Sequence, residues 1–116
     1  MNKRIMKSKI LNLRRLAGKI RKYQVDVMYD GRFKRIRFGQ KPYRDFTLIN
    51  RKTSKHYVAD PAERELIRKR YLQRHRNEDW ETPNSSAFFS RWLLWELPTV
   101  EASLEALVKR GKVEMG

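Results

Sequence analysis

The sequence predicts an α+β fold, and three observations carry that prediction. Residues 23–38 alternate apolar and polar side chains around an Asp-Gly pair, which is typical of a β-hairpin. Residues 60–76 open with Asp60-Pro61 and continue with apolar positions at helical spacing. The aromatic segment 85–97 predicts a helix that is buried on most sides. We therefore expect an N-terminal basic amphipathic helix or arm, a β-hairpin or small antiparallel sheet, and three helices including the buried aromatic one.

Composition points to a polyanionic partner. The 116 residues include 28 Lys and Arg against 13 Asp and Glu, for a formal net charge of +15. Like charges at this density repel one another in a compact chain, and a partner of opposite sign relieves that repulsion. The chain has no cysteine, which excludes disulfides and thiolate chemistry. No apolar run approaches the roughly 20 residues of a membrane span, and no secretory signal is recognised, so we expect a soluble intracellular protein.

The charge is distributed unevenly along the chain. Residues 1–77 hold 24 basic and six acidic residues, whereas residues 78–116 hold four basic and seven acidic ones. Clustered charge indicates a binding surface, while uniform charge indicates only solubility. We expect the first two-thirds of the chain to grip the polyanion and the last third to build an aromatic core.

Residues 1–22 contain no acidic residue and form the predicted basic arm, followed by one compact α+β domain at residues 23–116. Apolar residues recur at steps of four and three, which predicts a helix with one apolar stripe. The arm could bind nucleic acid, lie on a membrane surface or dock on the core of the protein. The absence of bulky aromatics on the stripe argues against the membrane surface, and nucleic acid is the favoured partner. The stripe is Met6, Ile10, Leu13, Ala17 and Ile20, and the candidate phosphate-binding residues around it are Lys3, Arg4, Lys7, Lys9, Arg14, Arg15, Lys19, Arg21 and Lys22.

The hairpin offers a second basic element. Arg35 and Arg37 share one face of its second strand, where they could contact phosphates or protect an exposed strand from aggregation. Beyond the hairpin, Tyr43 and Phe46 could stack on bases, although aromatics beside an apolar patch more often belong to the core. Residues 47–49 are a possible third strand.

The helix from Asp60 to about Arg76 is the third basic element. Its cations suit a row of phosphates, and the alternative is a solvated face in which Glu63 and Glu65 are partial partners. His75 is either a donor to phosphate or a surface histidine. The expected inward residues are Ala62, Leu66, Ile67 and Tyr71; the candidate binding residues are Arg64, Arg68, Arg74, His75 and Arg76.

Catalytic chemistry is not indicated. The two histidines, His56 and His75, do not form a metal-ligand pair, and no P-loop, dinucleotide fingerprint or nucleophile elbow is present. We expect no catalytic residue, metal or cofactor. In the aromatic segment Arg91 is a lone charge, and we expect it either to reach solvent or to pair with Glu78, Asp79 or Glu96. Thr99 should begin a last helix and Gly111 should end it.

From about residue 29 to residue 107 the chain resembles a family of small basic proteins of unknown function encoded by large DNA viruses and some bacteriophages. The motifs that carry the resemblance are Phe38-Gly39, Asp45-Phe46-Thr47, Arg70-Tyr71 with Arg74-His75-Arg76, Ser90-Arg91-Trp92-Leu93-Leu94-Trp95 and Pro98-Thr99. The chain departs from the pattern in the longer basic loop 51–56 and in the N-terminal arm. The resemblance implies a viral or phage source, but no activity.

Together these observations predict a non-enzymatic, sequence-tolerant nucleic-acid-binding protein of a virus or phage, associated with the virion and facing the genome. DNA is favoured over RNA as the partner. One alternative is a minor capsid, scaffold or cement protein whose basic arm binds acidic capsid surfaces. Another is a viral factor acting on host transcription or translation. The expected location is the virion or the host-cell interior, and the oligomeric state is left open.

Overall fold

The computed structural model describes residues 7–116 and confirms the α+β class. A mixed sheet has the strand order β3-β2-β1-β4, in which β4 pairs with β1 in parallel and the other pairs are antiparallel. The strands are β1 (Ser8–Arg15), β2 (Arg21–Tyr29), β3 (Arg32–Gln40) and β4 (Val113–Met115). The helices are α1 (Phe46–Ile49), α2 (Pro61–Arg74), α3 (Ser86–Phe89), which continues as a π-helical turn (Ser90–Leu94), and α4 (Val100–Lys109).

The predicted hairpin is confirmed. Strands β2 and β3 are joined by Asp30 and Gly31, whose φ angles are 51° and 72°. Positive φ at both central residues is the geometry of a primed two-residue turn, which matches the twist of the flanking strands. One face of the sheet carries Val25, Val27 and Phe38, all fully buried, and this face packs against the aromatic segment.

The helix predicted for residues 3–22 is wrong over the described part, because residues 8–15 form β1. A β-bulge between Ile10 and Asn12 inserts an extra residue into the strand. Ile10 and Leu13 therefore face the same side although they are three residues apart, which imitates a helical stripe. Ala17 and Ile20 are exposed between β1 and β2.

Residues 7–22, the described part of the predicted arm, are not separate from the sheet. Strand β1 is an interior strand, paired with β2 on one side and β4 on the other, and the boundary expected after residue 22 falls within β2. The predictions for Lys3, Arg4 and Met6 lie outside the described residues.

Two short elements differ from the prediction or were missing from it. Residues 46–49 form helix α1 rather than a third strand, because Asp45 caps the turn by accepting a hydrogen bond from the Leu48 amide at 3.0 Å. Strand β4 has only three residues and was not predicted, since its pairing with Ser8–Ile10 depends on contacts distant in sequence.

Helix α2 begins as predicted, with Asp60 as N-cap and Pro61 at the first position. Ile67 is buried and Tyr71 packs against the core, but Ala62 and Leu66 are exposed, contrary to the prediction. Only a narrow side of α2 packs against the core, so half of the residues expected to face inward are exposed to solvent.

The aromatic segment is buried as predicted, although it is not a regular helix. Ser85 caps α3, and the chain then widens into the π-helical turn. Thr99 caps α4, and Gly111, with φ of 73°, follows its end, as predicted. The buried core of the described residues comprises Ile10, Val25, Val27, Phe38, Phe46, Ile49, Ile67, Phe88, Phe89, Trp92, Leu93, Leu94, Trp95, Val100, Leu107 and Val113.

Arg91 is paired, and its partner is Glu96. Glu96 accepts hydrogen bonds from Arg91 at 3.2 Å, from Arg68 at 2.8 Å and from Arg110 at 2.8 Å. The Arg91 guanidinium also lies 4.4 Å from the centre of the Trp92 ring. Burial lowers the pKa of Arg91, and Glu96 opposes that shift. One carboxylate thus joins α2, the π-helical turn and the end of α4.

Candidate nucleic-acid interface

The face of the sheet opposite the core is mostly polar and basic, although Met28 and Phe33 also lie on it, in the row of Lys9. In the strand register, Arg14, Gln24 and Arg37 form one row across β1, β2 and β3. Asn12, Asp26 and Arg35 form the next row. The arginines of both rows are exposed, whereas the Gln and Asp of the central strand are buried beneath them. We name these two rows, with Lys9 at the neighbouring position of β1, the open sheet face.

Hydrogen bonds fix Arg35 and Arg37 of the open sheet face. Arg35 binds Asp26 with two donors, Nε at 2.8 Å and Nη2 at 3.2 Å, and this contact holds the pKa of Asp26 below its usual value. Arg37 donates from Nε to the side-chain carbonyl of Gln24 at 3.2 Å. The outer nitrogens of Arg37 are left to bind a partner. Arg35 is electrically neutralised by Asp26, while Arg37 is not.

A first cleft of about 590 Å³ lies where β2 begins and β3 ends, bounded by α2 and α3. Its cations include Arg21, Arg44 and Arg74. Among residues 7–116, none of these three side chains has a hydrogen-bond or ion-pair partner. At the base of the cleft Gly39 has a φ of +74°, and a Cβ there would come within 2.9 Å of Leu94 Cδ1. Glycine at this position lets β3 approach the π-helical turn.

One wall of the first cleft is a stack of three rings. Tyr71 lies parallel to Trp95, with the ring centres 3.8 Å apart, and its other face meets His75 at 4.2 Å. His75 Nδ1 is hydrogen-bonded to Glu78. Burial raises the pKa of Tyr71 to about 12. This wall places ring surface beside the cations of the cleft.

A second cleft of about 330 Å³ lies on the other side of residues 41–45. Its cations include Arg15, Arg51 and Lys55, none of which has a side-chain partner within the described part of the chain. Tyr43, like the Lys22–Asp45 pair, lines both clefts. The Tyr43 side chain is two-thirds exposed, at 67%. The segment that carries Tyr43 therefore separates two basic clefts.

Many of the binding residues predicted from the sequence are exposed, and several gather at this end of the sheet. Lys9, Arg14, Arg35 and Arg37 lie on the open sheet face, and Arg15 lines the second cleft. The first cleft receives Arg21, Arg74 and His75. The remaining exposed members of the predicted set, Lys7, Lys19 and Arg76, do not line either cleft.

Three predicted binding residues are engaged inside the protein. Lys22 is buried and forms an ion pair with Asp45 at 2.8 Å. Arg68 donates to the carbonyl of Trp95 at 2.7 Å and to Glu96. Arg64 donates to the carbonyl of Val58 at 3.1 Å. The helical row of Arg64, Arg68 and Arg74 is therefore divided, and only Arg74 reaches a cleft.

Sequence reasoning missed Arg44, Arg51 and Lys55 as site residues and favoured the core for Tyr43. Phe46 is in the core as expected, but Tyr43 is not. The sequence does contain an indication that Tyr43 is exposed. In Lys41-Pro42-Tyr43-Arg44 its sequence neighbours are cations and a proline. Apolar neighbours, which would indicate a core position, begin only at Phe46.

The first cleft is lined by residues from several separate segments of the chain. Gly39, Asp45, Ser90 and Trp95 all line it, as does the Arg74-His75 pair.

Comparisons of the chain with protein-family models, curated proteins and solved structures find no match. Among residues 7–116, no helix is long and apolar enough to cross a membrane, and no group of three or more His, Asp or Glu side chains is placed to hold a metal ion.

Proposed function

We propose that this protein is a non-enzymatic nucleic-acid-binding protein that contacts phosphates with one end of its sheet. The observation that carries the proposal is the set of cations without an internal partner around the two clefts, Arg15, Arg21, Arg44, Arg51, Lys55 and Arg74. Unpaired guanidinium groups at this density repel one another and favour a chain of phosphates as counter-charge. Lys9, Arg14 and Arg37 extend the basic surface onto the open sheet face.

Binding of this kind tolerates many sequences. Arginine and lysine contacts to phosphate fix the position of a nucleic acid without reading its bases. The polar side chains of the central strand are not free to read base edges, since Gln24 binds Arg37 and Asp26 binds Arg35. Most of the affinity should therefore come from the release of counterions.

The carboxylates near the clefts support a binding role over a catalytic one. Asp45 receives hydrogen bonds from Lys22, from the Thr47 hydroxyl and from the Leu48 amide. Glu78 is bound to His75. A carboxylate whose lone pairs are taken by cations and amides is poorly placed to ligate a metal or to activate water.

The resemblance to viral and phage proteins favours a place within the virion, against the genome. Mass spectrometry of purified particles, followed by crosslinking to the packaged nucleic acid, tests this location. Crosslinks between the clefts and the genome support it. Recovery of the protein only from infected-cell extract, outside the particles, would contradict it.

Binding should depend steeply on salt. With six to ten phosphates neutralised, the slope of log affinity against log salt should lie at about −5 to −9 on duplex DNA. The double substitution R44Q/R74Q should weaken binding and make that slope shallower by about 2, as expected when two phosphate contacts are lost. Fluorescence anisotropy with a labelled oligonucleotide at several salt concentrations measures both quantities.

The matched control is K109Q/K112Q, which removes two charges from the acidic end of the chain. Lys109 and Lys112 already pair with Glu105 and Glu81 at 3.3 and 3.4 Å. The slope of this control should equal that of the unmodified protein. If both double variants make the slope shallower to the same extent, net charge alone matters, and if neither changes it, Arg44 and Arg74 do not contact phosphate. Either result would mean that the first cleft is not the binding site.

Whether the open sheet face takes part in binding can be tested by removing the carboxylate that pairs with Arg35. In D26N the neutral amide no longer compensates Arg35, so one more cation becomes available and affinity should rise several-fold at low salt. The control E101Q alters the net charge equally, but Glu101 is exposed on α4. Indistinguishable affinities for D26N and E101Q would remove the open sheet face from the interface.

A further inference from the structure

Tyr43 is a large aromatic residue that the fold holds in solvent. Its side chain is 67% exposed, more than that of Phe33 at 54% or Leu66 at 45%. The core already contains the neighbouring aromatic, Phe46, so the exposure of Tyr43 does not result from a lack of apolar surroundings. Proteins that bind single strands usually combine a strongly basic surface with exposed aromatic rings, on which unpaired bases stack.

The backbone is anchored at Tyr43 and on its N-terminal side. The Lys41 amide donates to the carbonyl of Ile20 at 2.9 Å, and the Tyr43 amide donates to the carbonyl of Gln40 at 3.1 Å. The Lys41 ammonium group binds the carbonyls of Leu16 and Gly18, which ties the segment to the turn between β1 and β2. A ring on an anchored segment loses less conformational entropy when it stacks than a ring on a free loop does.

Cations lie in both directions from the ring. Arg44 and Arg74 line the first cleft, and Arg15 and Arg51 line the second, while Tyr43 belongs to both. A strand that crosses Tyr43 would therefore meet unpaired arginines before and after the base that covers the ring. The volumes of the two clefts, about 590 and 330 Å³, lie in the range of sites that hold ligands of nucleotide size.

We propose that Tyr43 is a base-stacking platform and that the two clefts together bind a single-stranded nucleic acid. This inference rests on the proposed function and specifies the form of its partner. In a duplex the faces of the bases are covered by their neighbours, so Tyr43 can contact only phosphate, sugar or base edges there. An unpaired base offers a free face, and the ring then contributes to binding without regard to base identity.

The test compares one unstructured strand of about 20 nucleotides with the matching duplex, using Y43A, Y43L and Y43F. Y43A and Y43L should each lower the affinity for the single strand by about 5- to 150-fold, the equivalent of one lost base stack, and should leave duplex affinity within about two-fold. Y43F keeps the ring and should bind both partners within about three-fold of the unmodified protein. L66A is the matched control, because it truncates an exposed apolar side chain on α2 and should change neither affinity.

The outcomes separate this inference from the proposed function. Unchanged single-strand affinity in Y43A overturns the stacking role, and so does an equal loss on both partners, while salt-dependent binding by the unmodified protein would still uphold the proposed function. Full retention by Y43L with loss by Y43A would assign the effect to apolar bulk and also overturn stacking. If the unmodified protein binds neither partner, the proposed function fails and the inference fails with it.

Discussion

Replacing Glu96 with alanine is expected to lower the free energy of unfolding by about 3 to 5 kcal/mol. The Glu96 side chain is 9% exposed and forms ion pairs with three arginines from three parts of the chain. Its loss leaves Arg91, whose side chain is 10% exposed, as a buried cation with like charges beside it. Urea denaturation followed by tryptophan fluorescence measures the change, because Trp92 stacks on the Arg91 group.

Two controls identify the cause. E96Q keeps the shape and some hydrogen bonds of Glu96 but removes the charge, so it should also destabilise the protein, though by less than E96A. E105A removes an exposed carboxylate that pairs with Lys109 at 3.3 Å, and its effect should stay within about 0.5 kcal/mol. Equal stability of E96A and E105A would show that the arginines around Glu96 reach solvent when it is absent.

Substitution of Lys22 is expected to have the second large effect on stability. Comparing its effects on stability and on affinity shows whether Lys22 is a structural residue or a binding residue. K22M should lower the free energy of unfolding by about 3 kcal/mol, because Asp45 is left as a buried charge without its cation. The affinity of the folded variant for nucleic acid should fall less than that of R44Q/R74Q. Thermal unfolding and anisotropy on the same preparations give both values.

The double variant K22M/D45N removes the two charges together. It should recover part of the stability lost in K22M, since the side-chain amide introduced at position 45 carries no uncompensated charge and can still cap α1. K19M is the exposed-lysine control and should be close to the unmodified protein in stability. A folded K22M of normal stability whose binding is abolished would instead place Lys22 in direct contact with phosphate.

The local elements of this fold follow from short-range signals in the sequence. Asp60-Pro61 begins α2, Asp30-Gly31 turns the hairpin, and Thr99 caps α4, because each depends on the backbone preferences of adjacent residues. The prediction for the N-terminal segment was wrong for an equally local reason. A bulge shifts the alternation of β1 by one residue, and the resulting spacing of its two inward apolar residues is the same as that of a helix.

The candidate site could be predicted only in part. The sequence identified the basic residues, but it could not assign partners to them. Lys22 and Arg74 have the same charge and the same prediction, yet one is buried against Asp45 and the other lines an open cleft. The role of each cation depends on whether a carboxylate distant in sequence reaches it.

What the sequence determined by itself is the α+β class, the basic character of the first two-thirds and the burial of the aromatic segment, since composition and local periodicity suffice for these. Only the tertiary structure decided that β1 joins the sheet, that Glu96 gathers three arginines and that Tyr43 stands between two clefts. Each of these depends on contacts between separate elements of the fold. Such contacts are governed by packing and charge compensation over the whole fold, which no short window of sequence contains.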